Sequence, residues 1–264
     1  MSTGAVVEDL TGRGHWDRIY RRARPVGRGW RPANYDAFVL ERVLMAEINR
    51  YQPNSVLEVG CGNSAWLPYL ARNTGASVAG IDYSKPGCEL VRKSLKAEGV
   101  NGHVYNADFL TASVEQIGRY DFVFSLGVVE HFADLDRVLS CLLTFVNPGG
   151  VLWTEVPNLR SVHGLLSWVW NPKVLAKHRL VSKTELMQAY HRLGLTDVRG
   201  SYCGLFSFNV VPWVIDPPIP AFLPMIHRFN RWIDARLSRV NRFRGIQPFA
   251  PYICTVGRKA IGKD

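Results

Sequence analysis

The sequence has few of the features that would take a chain out of a reducing, aqueous compartment. It has five cysteines in 264 residues, Cys61, Cys88, Cys141, Cys203 and Cys254. They are scattered, odd in number and never spaced as C-x-x-C, which argues against a disulfide framework and a zinc site. A reducing cytosol is the expected setting. The stretch MSTGAVVEDLTGRGHWD lacks a basic segment followed by an apolar one, so no secretory signal is expected. Only one apolar run approaches membrane-spanning length, LFSFNVVPWVIDPPIPAFLPMI at 205–226, and it carries Pro212, Pro217, Pro218, Pro220 and Pro224. A helix in lipid cannot leave that many backbone groups unpaired, so no transmembrane helix is expected there. Internal repeats and low-complexity segments are also missing.

What is present fits a folded α/β chain. The length allows one large domain or two small ones, and 47% hydrophobic with 20% charged residues is ordinary for a buried core. The net charge of +10 is unusual, and much of it lies in two arginine groups, Arg13 to Arg31 and Arg228 to Arg244. Such groups can bind nucleic acid, anionic lipid or acidic small molecules, or form a solvated face; charge alone does not choose.

From residue 55 short β-rich runs alternate with amphipathic stretches. SVLEVG predicts a strand, and Ala65 to Asn73 a helix. SVAGID (77–82) predicts a second strand, and Lys85 to Glu98 a helix ended by Gly99. HVYNAD (103–108), YDFVFSLG (120–127) and VLWTEVP (151–157) predict three more strands, with a helix from Leu135 to Phe145 stopped by NPGG. Near-continuous apolar strands between helices imply a parallel sheet covered on both faces. Residues 34–50 predict an amphipathic helix over the start of the sheet. Beyond strand five the rhythm breaks. Ser182 and Glu185 form a capping-box pattern, TDVRGSYC (196–203) fits a sixth strand and PYICTVGRK (251–259) a seventh.

The glycine-rich turn after the first strand carries the functional signal. Gly60, Gly62 and Ala65 meet the spacing G-x-G-x-x-G/A, and Asp82 lies 20 residues past Gly62 at a strand end, where a carboxylate can hold ribose hydroxyls. A dinucleotide such as NAD, and so an oxidoreductase, is a competing reading. Glu58, two residues before Gly60, would repel a pyrophosphate and favour a phosphate-free cofactor with cationic ammonium and sulfonium groups. S-adenosylmethionine is such a cofactor. Glu58 can equally bond nearby backbone amides. Asp108 can accept from an adenine amino group, Phe109 can wall the ring, and Tyr83 can cover its other face.

VLEVGCGNS, GIDYS, NADFL, YDFVFSLGVVEHF and NPGGVLWTEVPN together resemble the successive motifs of class I S-adenosylmethionine-dependent methyltransferases, over roughly residues 35–200. Within that family the resemblance leans towards small-molecule O-methyltransferases of the ubiquinone-biosynthesis type. It implies a Rossmann-like, doubly wound seven-stranded sheet with the last strand antiparallel. It also implies that Glu58, Gly60 and Gly62 border the methionine part, Asp82 the ribose and Asp108 the adenine, with the Leu126 carbonyl meeting the amino group; Cys61, between the glycines, is a further cofactor-binding candidate. Ser64 replaces the third glycine common in the first motif. Gly127 stands where ubiquinone-type relatives carry a second glutamate, so no metal requirement is expected. SLGVVEHF is also similar to fatty-acyl cyclopropane synthases, whose other hallmark segments are missing. Nucleic-acid methyltransferase tetrapeptides such as DPPY or NPPY are missing too, and no specific nucleic acid is expected as a partner.

Methyl transfer from a sulfonium is an in-line displacement in which positioning supplies most of the acceleration. A hydroxyl acceptor also gains from a base. His131 is the candidate base, or else a histidine bonded to backbone at a helix start; Glu130, Glu155, His163 and His178 are weaker candidates. In outline, residues 1–33 form a basic arm or lid and 34–264 one methyltransferase domain, with insertions 159–181 and 204–248 as lids after strands five and six. A helix from about Pro224 to Phe243 interleaves apolar residues with Arg228, Arg231, Arg236, Arg239 and Arg242. It suits either a lid or a surface lying on anionic membrane at the cytoplasmic face. Either points to a small apolar or lipid-linked acceptor, with transfer to oxygen favoured over nitrogen or carbon.

Overall fold

The computed structural model describes residues 7–210, 228–229, 231–232, 235–236 and 244–262. Seven strands form one sheet: β1 (Ser55–Val59), β2 (Ser77–Asp82), β3 (Gly102–Asn106), β4 (Tyr120–Leu126), β5 (Val146–Pro157), β6 (Thr196–Cys203) and β7 (Tyr252–Arg258). The described helices are α1 (Arg13–Arg22), α2 (Tyr35–Tyr51), α3 (Trp66–Thr74), α4 (Lys85–Glu98), α5 (Val114–Ile117), α6 (Leu135–Thr144), α7 (Val162–Trp170), α8 (Pro172–Leu175) and α9 (Lys183–Arg192). The strand order is β3-β2-β1-β4-β5-β7-β6. The first five strands run parallel, and β7 lies antiparallel between β5 and β6. This is the Rossmann-like sheet that the strand pattern implies, with its last strand reversed.

Alternation along each strand sorts the core into two layers. Val56, Phe122, Phe124, Val151 and Trp153 pack towards α2, α3 and α4. Leu57, Val123, Leu152 and Val156 pack towards α6 and α9. Burying such side chains contributes about 1.5–3 kcal/mol each, which explains why β1, β4 and β5 carry apolar residues on both faces. The helix ends follow local chemistry. Asn34 caps α2 by accepting from the Ala37 N–H, Ser84 caps α4, and Ser182 and Glu185 complete the capping box of α9.

Two boundaries differ from the sequence reading. NPGG does not separate helix from strand, because β5 already pairs with β4 at Tyr120↔Val146 and resumes at Phe122↔Val151 after an irregularity. Sheet pairing outweighs the local turn preference there. At the other edge β3 ends at Asn106, two residues short of Asp108. The expected helix over 224–243 lies largely outside the described residues; 228–229, 231–232 and 235–236 are helical.

Candidate active site

The strand order reverses between β1 and β4, and ligands of open α/β sheets sit beyond the carboxyl ends at such a point. A cavity of about 160 Å³ that opens to solvent lies there. Gly60, Asp82, Tyr83, Phe109, Leu126 and His131 line it, as do Gly127, Val128 and Phe132. Thr11, Trp16 and Tyr20 close it from the amino-terminal arm.

Backbone conformation fixes the loop. Gly60 has φ +75°, and a Cβ there would come 2.5 Å from Val128 Cγ2. The Gly60 and Cys61 N–H groups both donate to the Ile81 carbonyl. Asp82 ties the far side, accepting from the Gly62 N–H at 2.8 Å and the Ser84 N–H at 2.7 Å. Ser64, the residue in place of a third glycine, donates to Glu58 Oε2 at 2.5 Å and accepts from the Trp66 N–H. Glu58 is therefore bonded to a hydroxyl rather than to backbone amides. Burial, reinforced by the Asp82 charge, pushes the Glu58 carboxyl up to about 8. Burial likewise raises Asp82 to about 6.

The other expected ligand residues divide. Tyr83 and Phe109 face the cavity; Tyr83 donates to Asp9 and lies beneath the Arg13 guanidinium. The Cys61 side chain turns into the core, close under Gly80. Asp108 does not line the cavity, because it lies in the turn beyond β3 and its carboxylate accepts from the Leu110 N–H at 3.0 Å. Tyr20 and Trp16 went unread in the sequence. The Tyr20 ring wedges between Gly62 and Gly87, where a Cβ on either glycine would collide with it. Burial and the Asp82, Cys61 and Glu58 charges raise its hydroxyl pKa. The one signal for this contact was a small residue at the start of α4, Gly87, facing Tyr20 far upstream in the chain.

His131 sits in a short turn after β4. Its Nδ1 lies 3.2 Å from the Lys177 carbonyl, an oxygen that can only accept, so Nδ1 carries the proton and Nε2 the lone pair. Burial holds the imidazole at about 4, with His178 adding to the effect, so the ring is neutral at physiological pH. Glu130 Oε1 lies 3.9 Å from Nε2, and burial pushes that carboxyl up to about 8. Glu155 is buried on β5, with its carboxyl raised by burial and by Glu130. His163 is structural: Nε2 accepts from the Ser207 N–H, and Nδ1 lies 2.9 Å from the Ser161 hydroxyl. Glu130, His131 and His178 each offer a ligand atom within 4.8 Å of the others. A divalent cation could be held there, with His178 as third ligand in place of residue 127. Gly127 has φ +62°, a conformation that disfavours a glutamate at that position.

Both flanking segments reach this side of the sheet. Leu10 N–H donates to the His131 carbonyl and Ala133 N–H to Glu8. Ser84 donates to Asp17 at 2.5 Å. From the 159–181 insertion, the Arg179 N–H donates to the Glu130 carbonyl at 2.7 Å.

The donor set fits a cationic, phosphate-free nucleoside and opposes a dinucleotide. The buried Glu58 carboxyl stands at the glycine turn where a pyrophosphate would need cations or free amides, whereas Asp82 can hold a ribose in either cofactor. Residues 11–199 match the family model described as a methyltransferase domain. The chain belongs to that family. Its cofactor is S-adenosylmethionine. Among curated relatives, the ubiquinone biosynthesis O-methyltransferase of Brucella anthropi is 31% identical over 130 residues, 46% of this chain and 51% of the relative. The chain thus matches about half the length of that relative. A SAM-dependent methyltransferase from Archaeoglobus fulgidus superposes with TM-score 0.52 at 20% identity, covering 86% of this chain and all of that one. The plantazolicin methyltransferase BpumL, solved with SAH and a triazolic desmethylPZN analog, gives 0.58 at 17% identity, covering 96% of both chains. At these identities the two structures share the fold.

Proposed function

We propose that this methyltransferase-family protein transfers a methyl group from S-adenosylmethionine to a hydroxyl of a small apolar or lipid-linked acceptor, with His131 Nε2 taking the hydroxyl proton. One observation carries the reading: the neutral His131 ring forms a wall of both the cofactor cavity and a neighbouring basin. When bound, the cofactor supplies an electrophilic methyl on a sulfonium. Glu58, Gly60, Gly62 and Asp82 would hold its charged and ribose parts, Tyr83 and Phe109 its base, and Tyr20 and Trp16 would close the arm over it as a lid. Leu126, Val128 and Phe132 keep water from the reacting centre. The Lys177 carbonyl orients the imidazole so that its Nε2 lone pair can take the proton, while positioning supplies most of the acceleration.

An apolar acceptor is supported by the outer face of α7. Leu165, Trp168 and Val169 are 60%, 64% and 58% exposed. The Val162 N–H at the start of α7 bonds the Pro248 carbonyl, and Ile246 and Phe249 are exposed as well. That surface suits contact with a membrane or with the tail of a lipid-linked acceptor; no helix among the described residues is long and apolar enough to cross a membrane. The test is incubation with methyl-labelled S-adenosylmethionine and cell extract. Label should enter an organic-soluble small molecule, with mass spectrometry placing the methyl on oxygen, and His131→Ala should abolish it. Label confined to protein or nucleic acid would overturn the acceptor class, and methyl on nitrogen or carbon would overturn the hydroxyl.

A further inference from the structure

Beyond His131 the cofactor cavity adjoins a second basin between α1 and the α8 region, with Thr11, Trp16 and His131 as shared walls. Ile19 and Val174 give it apolar lining, and Arg18, Arg22 and Lys177, together with His15 and His178, give it cationic and N–H-bearing lining. None of the three full cations has a carboxylate partner within 4.0 Å among the described residues. The acid nearest in effect, Asp9, is already used: Oδ1 accepts from the Thr11 and Gly12 N–H groups and the Thr11 hydroxyl, and Oδ2 from Tyr83.

Lys177 Nζ lies 3.4 Å from His15 Nδ1. An ammonium can only donate, so His15 Nδ1 accepts and Nε2 carries its proton. Burial and the Lys177 and Arg18 charges lower the His15 pKa, which keeps that tautomer neutral. His15 is thereby a further N–H donor, and Lys177 retains two. His178 Nδ1 lies 2.8 Å from the Val174 carbonyl and so carries its proton. Cations gathered around a half-enclosed apolar basin repel one another and gain from an anion.

We infer that this basin binds an acidic group of the acceptor, a carboxylate or a phosphate ester, at Arg18, Arg22 and Lys177, and so sets the acceptor's hydroxyl against His131. This rests on the methyltransferase reading and adds the acceptor's charge to it. The subsite confers specificity. The cationic lining supplies the charge-assisted donors for the acid, while Ile19 and Val174 take the adjoining apolar part.

The test uses the full chain saturated with S-adenosylhomocysteine, with benzoate, phenyl phosphate and benzyl alcohol as probes in equilibrium titrations at low salt. At least one of the two acids should bind about tenfold or more tighter than the alcohol, and the tighter of them identifies the acid. Arg18→Gln with Arg22→Gln, and separately Lys177→Met, should each weaken the acid about tenfold and leave S-adenosylhomocysteine affinity unchanged. All three substitutions remove charge from the basin lining and not core packing. Equal binding of acids and alcohol, or acid binding unaffected by both sets of substitutions, would overturn the inference. Failure of the wild-type chain to bind S-adenosylhomocysteine at all would instead overturn the cofactor reading, since that titration is read first and independently.

Discussion

The two sides of the crevice carry opposite charge. Towards β1 and β2, Glu58 and Asp82 are buried and paired only with hydroxyls and backbone N–H groups. Towards α1 and α8, Arg18, Arg22 and Lys177 have no carboxylate partner among the described residues. Trp16 and His131 belong to both walls, with ring centroids 5.4 Å apart. A cationic cofactor and an anionic acceptor would thus each be drawn to its own side, and the uncharged partition is where they meet. The glycine spacing alone could not have shown this, because it describes one side only.

The partition itself gives the largest test. His131→Ala should lower turnover by about a hundredfold or more with cofactor affinity close to wild type. A drop under about fivefold would return the residue to a structural role and leave proximity as the main catalytic effect. On the acidic side, Asp82→Ala should weaken S-adenosylmethionine by roughly ten- to a hundredfold, the equivalent of about 1.5–3 kcal/mol, in a chain that still melts cooperatively. Unchanged affinity in a calorimetric titration would remove Asp82 from the site.

A smaller effect should appear with pH. Glu58 sits near 8 in the free protein, above the usual carboxylate range, so it is largely protonated at pH 6. A bound cation favours the ionised form and lowers that value. Binding therefore releases a proton, affinity rises from pH 6 to 8, by at most about tenfold per unit, and flattens above. Glu58→Gln should abolish the slope, and a slope that survives the substitution would place the titrating group elsewhere.

Gly62→Ala probes the arm. The residue has φ +33°, and its Cβ would lie 2.0 Å from Tyr20 Oη, so about 1–3 kcal/mol of stability should be lost. Tyr20→Leu should recover part of it in a double-mutant cycle; strict additivity would show that the arm does not rest on the loop. The smallest effect is expected at Asp108→Ala, about threefold or less in cofactor affinity, because that carboxylate holds the Leu110 N–H and stands back from the cavity. A loss as large as that of Asp82→Ala would put the adenine against it after all.

Local chemistry was legible in the sequence. The Ser182 cap, the strands β1, β2 and β6, and the left-handed Gly99 that ends α4 each depend on neighbours within a few residues. The reversed last strand was legible only through family resemblance. Contacts between distant segments were not legible: Tyr20 against Gly62 and Gly87, Lys177 against His131, and the early start of β5 at Val146 through a proline-glycine pair. Cys61 lay within the motif, yet only packing decides whether a side chain in that loop faces ligand or core. The arm was read from its charge alone, and charge does not report that Trp16 and Tyr20 lie between the arginines and point at the sheet.

The position of β7 has a consequence for synthesis. It lies between β5 and β6 but is made after both, so β6 has no sheet to join until Tyr252–Arg258 has left the ribosome. Before then β5 is an open parallel edge beside a finished nucleotide half. A nascent chain stalled before residue 252 would already contain the residues of its cofactor turn and of the basin between α1 and α8 but leave the β5 edge unpaired, and that edge is where a chaperone would be needed.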